Sequence, residues 1–120
     1  MARFDKETLA QLGAQDEIAI RTEKHPGTAV VIWVAMADGD VFVRSARGAK
    51  GRWYRDVAAG GDASLEFDGR ALPVRAVPAA DAQSVERASR EYLRKYRRSP
   101  YAQSVVRPDV LPTTLRLEPR

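Results

Sequence analysis

Cysteine is absent from this 120-residue chain, and histidine occurs once. The first absence removes thiolate nucleophiles, disulfides and thiolate zinc sites. The second rules out a multi-histidine metal centre within one protomer, so no metal is expected. The lone His25 precedes Pro26-Gly27 and reads first as part of a turn. Long apolar runs are lacking too. No segment approaches the roughly 20 apolar residues of a membrane span, and Met1–Lys6 has no apolar signal core. A soluble, cytoplasmic protein without membrane contact is the expectation. The glycines match neither a Walker nor a dinucleotide pattern. Asp38, Asp40, Asp62 and Asp68 fall at turns, where bonding to their own backbone accounts for them. No acidic pair has a spacing suited to acid–base catalysis, and Ser45 has no nucleophile-elbow context. Hydrolase chemistry has little support.

What is present suits a single domain, residues 1–120. With 44% hydrophobic residues, a chain of this length buries roughly two-thirds of its unfolded surface and folds without a staple. The formal charge of +4 is carried mainly by arginine. Such an excess favours nucleic acid and phosphate-bearing small ligands equally.

The patterning is mostly that of strands. Asp5 is placed to cap a short helix over Phe4–Gly13, with Phe4 and Leu9 as a staple and Gly13 as a left-handed stop. Glu17–Thr22 alternates as a strand. Thr28–Met36 is nearly unbroken apolar sequence rich in β-branched residues, which predicts one strand covered on both faces, with Trp33 in the core. Asp38-Gly39 and Asp68-Gly69 each separate two strand-like runs and predict hairpins. Pro73 lacks a ladder donor and belongs at an edge or bulge. Trp53–Ala59 reads as one or two helical turns ended by Gly60-Gly61. Asp81 opens a longer helix to about Arg97, with Val85, Ala88, Tyr92 and Tyr96 on its inward face and cations at its end. Thr113–Glu118 completes the set as a strand. These elements point to a small, mostly antiparallel β-barrel with helices outside, a mainly β (α+β) fold.

The segment from Arg44 to Arg55 carries the most chemistry. Ser45 and the backbone around Gly48 and Gly51 suit a phosphate, Arg44, Arg47, Lys50 and Arg52 neutralise it, and Trp53 or Tyr54 covers a ring. The bland alternative is a solvated loop whose Trp53 anchors a helical turn. Tyr92, Tyr96 and Tyr101 beside the basic helix end suggest a nucleic-acid stacking platform, but Tyr92 and Tyr96 lie on the apolar stripe, where packing explains them more simply.

The order of these motifs resembles a family of small bacterial proteins catalogued as domain of unknown function 2255. The resemblance runs through Ile32-Trp33-Val34, Val43-Arg44-Ser45 and Gly51-Arg52-Trp53-Tyr54-Arg55. It continues through Glu91-Tyr92-Leu93-Arg94-Lys95-Tyr96, close to an Ala-Tyr-Arg-x-Lys-Tyr pattern, and ends with Thr113–Arg120. It covers nearly the whole chain. More distantly, the Ser-loop-Trp-Tyr arrangement is similar to that of deazaflavin-dependent nitroreductases and pyridoxamine-phosphate-oxidase-like split barrels. That similarity implies a split β-barrel with flanking helices, homodimeric, holding a flavin mononucleotide (FMN) or deazaflavin cofactor. It also implies an oxidoreductase role, and a cofactor phosphate near Ser45, Arg47, Gly48, Lys50, Arg52 and Trp53. The chain departs from those relatives where Thr22–Gly27 replaces a Gly-Arg-Lys-Ser-Gly-type segment. No catalytic residue stands out; Tyr54 is the nearest candidate for a proton donor. A non-enzymatic module binding a small molecule or protein is the alternative reading, and nucleic-acid binding the third.

Overall fold

Seven strands form one antiparallel sheet in the computed structural model, which describes residues 3–120. Met1 and Ala2, the start of the stretch read above as lacking a signal core, lie outside the described residues. In chain order the strands are β1 (Ile18–Thr22), β2 (Ala29–Ile32), β3 (Val34–Ala37), β4 (Asp40–Val43), β5 (Gly61–Phe67), β6 (Arg70–Pro78) and β7 (Leu115–Pro119). In space they run β2-β1-β5-β6-β7-β4-β3. Three α-helices accompany them among the described residues: α1 (Lys6–Gly13), α2 (Arg52–Val57) and α3 (Ala82–Lys95).

The apolar run Thr28–Met36 is therefore two strands, not one. β2 and β3 lie at opposite edges of the sheet, yet only Trp33 separates them in the chain. Ile32 pairs with Ile18 of β1, and Val34 with Val43 of β4. Two peptide units span at most about 7 Å, so the sheet must curl until its two edges meet at Trp33. The result is a split barrel, mainly β with flanking helices. Only the β3 half of the run has the two-sided cover expected of it. In β2, Ala29 is exposed and Val31 is 61% exposed. A run of β-branched residues satisfies both strands equally, so periodicity gives no sign of the break.

Both Asp-Gly turns form. Asp38 and Gly39 have φ of 53° and 84°, and Asp68 and Gly69 have 50° and 72°. These left-handed pairs match the right-handed strand twist and close the Ala37↔Asp40 and Phe67↔Arg70 registers. Pro73 occupies the stretch of β6 flanked by β5 alone, because pairing with β7 begins at Val74↔Pro119, so no ladder bond there needs its missing N–H.

Asp5 caps α1 by accepting from Thr8 N at 2.7 Å, and Asp81 caps α3 by accepting from Ser84 N at 3.1 Å. Gly13 is not a left-handed stop; α1 ends on Ala14 in the right-handed region. Its role is close approach, since a Cβ there would lie 2.7 Å from Met36 Cε. The Thr113-Thr114 pair also leaves the expected strand, forming a 3-10 turn and its exit before β7.

Two apolar clusters hold the molecule. One fills the barrel with Ile18, Ile20, Val41, Val43, Leu65 and Leu115. The other joins the outside of β3 and β4 to α3 through Ala35, Phe42, Ala88, Tyr92 and Tyr96. No helix among the described residues is long and apolar enough to cross a membrane.

Candidate functional site

β4 is buried on both faces, so the residues that leave it are delivered to fixed positions. Arg44 continues the outer face of Phe42 and is 2% exposed. Its Nε donates to Thr114 Oγ1 at 2.8 Å, Nη1 to Val105 O at 2.9 Å, and Nη2 to Val85 O at 2.8 Å. The guanidinium lies 5.5 Å from the Tyr92 ring centroid. Burial lowers its pKa from the ordinary value, but an arginine starts high enough to stay charged. No carboxylate pairs with it among the described residues.

Ser45 is 1% exposed. Its N–H donates to Thr113 Oγ1 at 3.0 Å, and the Thr113 hydroxyl in turn donates a hydrogen bond to Val110 O at 2.6 Å. The Ser45 Oγ has no hydrogen-bond partner among the described residues. Gly51 makes room for it, because a Cβ on Gly51 would clash with the Ser45 Oγ. An unpartnered buried hydroxyl costs about 1–3 kcal/mol, and this one borders a cavity.

That cavity has a volume of about 340 Å³. Arg44, Ser45, Arg47, Gly51, Arg52 and Trp53 line it, together with Val30–Trp33, Ser104, Val105 and Glu17. Its lining thus holds three arginines and a single carboxylate. Of the residues singled out in the sequence, six are brought together here and three are not. Gly48, Lys50 and Tyr54 do not reach the wall. Gly48, with φ of 69°, donates its N–H to Ser45 O at 2.9 Å, and Gly51 donates to Gly48 O at 3.2 Å. Those amides are consumed by the loop's own 3-10 turn. Lys50 is exposed, and Tyr54 packs edge-on to Trp53 at 6.3 Å between centroids. The lining residues outside Arg44–Arg55 escaped the sequence reading because they lie elsewhere in the chain. The nearest signal was Trp33, an aromatic breaking a run of β-branched residues; it is half-buried rather than core and stacks on Tyr96 at 4.0 Å and 4°.

Arg52 links the cavity to a second polar cluster. The nearly buried Asp56 accepts through one oxygen from Thr22 Oγ1 at 2.6 Å and faces His25 Nδ1 at 2.7 Å, with Arg52 Nη1 at 3.9 Å. Burial raises the Asp56 pKa, but the Thr22 and His25 hydrogen bonds and the charges of His25 and Arg52 outweigh it and leave the carboxyl below its usual value. A carboxylate lowered in the folded state stabilises above its unfolded pKa of about 3.9, and the benefit is lost as pH falls through the folded pKa. Asp56→Asn is therefore expected to lower the urea midpoint near neutrality. The gap to the parent should shrink as pH drops below about 4; a gap that holds constant with pH would assign the loss to packing alone.

The fold is similar to that of a conserved hypothetical protein, Rv2991, from Mycobacterium tuberculosis, known from a crystal structure. The two share 12% sequence identity at a TM-score of 0.65, covering 99% of this chain and 82% of that one. No curated protein matches the chain. A family model described as "uncharacterized protein conserved in bacteria" matches residues 8–117. With that span covering nearly every element of the split barrel, the chain belongs to the bacterial family of domain of unknown function 2255.

Proposed function

We propose that the Ser45 cavity binds a phosphorylated planar cofactor, FMN or a deazaflavin coenzyme, and that the protein is an oxidoreductase. The observation that carries this reading is the Ser45 Oγ, buried and unpartnered beside an arginine without a counter-charge. A phosphate oxygen would satisfy both. Ser45, Arg44 and Arg47 are the groups that would hold it, with Arg52 adding charge. Val30–Trp33 and Trp53 form the apolar and aromatic wall suited to a ring. A bound flavin or deazaflavin supplies hydride chemistry; the chain supplies orientation, charge and exclusion of water. Tyr54 stands off the wall, so no proton donor is assigned. The bare apolar edge of β2, which borders the cavity, supports a homodimer. The expected cytoplasmic location goes with the same proposal.

The test is titration of purified protein with FMN, flavin adenine dinucleotide and a deazaflavin coenzyme, followed by fluorescence. Saturable binding is expected for one of them, weakened about tenfold or more by combined Arg47→Ala and Arg52→Ala. Absence of binding across all three overturns the reading.

A binding module without redox chemistry is the second reading, and the Thr22–Gly27 segment favours it. Its Thr22 and His25 side chains are turned onto Asp56, where they serve the fold. Nucleic acid is not part of the proposal, since the Tyr92 and Tyr96 rings needed for stacking are 0% and 7% exposed.

A further inference from the structure

Among the described residues, the cations that are buried or half-buried are Arg21, Arg44, Arg52, Arg87, Lys95 and Arg116. Arg21 pairs with Glu66, Arg52 with Asp56, Arg87 with Asp38 and Asp40, and Arg116 with Glu118. Arg44 and Lys95 alone have no carboxylate within 4.0 Å, and each lines a cavity. A desolvated charge without a counter-charge is costly unless something supplies one. For Arg44 that cavity is the proposed cofactor site. For Lys95 it is a different one.

The second cavity, about 620 Å³, lies between the α1–β1 connection and the end of α3. It shares Trp33 and Glu17 with the first, so the two adjoin at that saddle. Its aromatic wall is rigid. Trp33 is stacked on Tyr96, whose hydroxyl donates to Asp16 O at 2.7 Å and accepts from Val34 N at 3.3 Å. Lys95 Nζ gives one bond, to Val34 O at 2.9 Å, and an ammonium has three protons, so two are left. Arg98 lines the same cavity and makes no hydrogen bond or ion pair among the described residues. Asp16 and Glu17 occupy the facing wall. Their carboxylates repel a second negative charge, which disfavours a dianion and orients a monoanion toward α3.

We propose that this second cavity is an anion-binding compartment that takes a small planar monocarboxylic acid, its carboxylate toward Lys95 and Arg98 and its ring along Trp33. Placed beside the first cavity, it is the substrate compartment. The substrate role rests on the cofactor reading, whereas the anion site stands on its own residues.

Benzoate and its neutral counterpart benzamide, titrated into the cofactor-free protein and followed by amide NMR shifts, provide the test. Benzoate is expected to saturate with shifts at Glu17 and Lys95–Ser99, and benzamide to bind at least about tenfold more weakly. Arg98→Glu, which removes no hydrogen bond or ion pair among the described residues, should weaken benzoate about tenfold or more while the urea midpoint moves only slightly. Lys95→Met should weaken it as well. Equal affinity for the two probes, shifts confined to Ser45–Trp53, unaltered benzoate affinity in both variants or no saturable benzoate shift overturns the proposal. Failure of FMN to bind bears only on the cofactor reading.

Discussion

Replacing Arg44 with methionine is expected to cost about 2–4 kcal/mol of folding stability, read as a lower urea midpoint. Opposite effects compete in that number. The side chain donates to Val105 O, Val85 O and Thr114 Oγ1, and hydrogen bonds from a charged donor are worth about 1.5–3 kcal/mol each. Removing it leaves Val105 O without its donor, while Val85 O keeps its bond within α3 and Thr114 Oγ1 still donates to Leu111 O. Against this, the guanidinium is buried without a counter-ion, so its loss recovers a desolvation cost of several kcal/mol. The lost ties between elements and the bare Val105 carbonyl decide the sign, because neither leaves with the charge. Val85 belongs to α3, Val105 to the 3-10 turn Ala102–Val105, and Thr114 to the approach to β7. A single planar fork thus ties three distant pieces of chain to the end of β4. Arg44→Lys is expected to recover little of the loss, since an ammonium cannot reach three divergent acceptors in one plane. A methionine variant as stable as the parent would show that the three contacts carry no net energy.

The same residue shows where sequence reasoning reaches and where it stops. The hairpins were legible because Asp-Gly between alternating runs is a local signal that needs no partner, and the long helix was legible from Asp81 and its apolar stripe. The residue types of the Arg44–Arg55 segment suggested an anion site, and the family resemblance pointed to the same segment. The division of labour among the cations was hidden. Whether an arginine faces a ligand or two carbonyls and a hydroxyl depends on chain up to 70 residues away in sequence, as in the Arg44–Thr114 bond. Thr113-Thr114 read as the start of a strand because β-branched residues suit one. Their hydroxyls instead buttress Arg44 and Ser45, a tertiary demand that local propensity does not encode. Gly48 and Gly51 suggested free amides for a phosphate, yet the turn they permit consumes both. Lys95 looked like a cation complementing a helix dipole, and only its position against Val34 O separates it from the exposed arginines around it.

Tyr92→Ala should be the more damaging change, at about 3–5 kcal/mol, because it empties a fully buried aromatic site between α3 and the sheet. Tyr92→Phe isolates the hydroxyl and should cost about 1–3 kcal/mol. That hydroxyl donates to Trp33 O at 2.9 Å, and Phe42 O lies 3.4 Å away. The reason for its importance is the seam. Where the chain leaves one sheet edge for the other, the Trp33 and Val34 backbone groups need partners that no strand provides in full. α3 brings Tyr92 to Trp33 O, Lys95 to Val34 O and Tyr96 to Val34 N. This spacing explains the Tyr-x-x-Lys-Tyr pattern at 92–96, since residues three and four apart share a helix face and meet two consecutive peptide units. Burial pushes the Tyr96 phenol up to about 12, so it remains a neutral donor and acceptor over the working pH range. In Tyr96→Phe the Val34 amide should exchange with solvent faster than in the parent by a larger factor than the global stability loss explains, because its acceptor is gone while the neighbouring ladder is intact. Native-state hydrogen exchange reads that difference directly. A Val34 amide that slows or accelerates only in step with global unfolding would mean that the strands, and not the helix side chains, hold the seam closed.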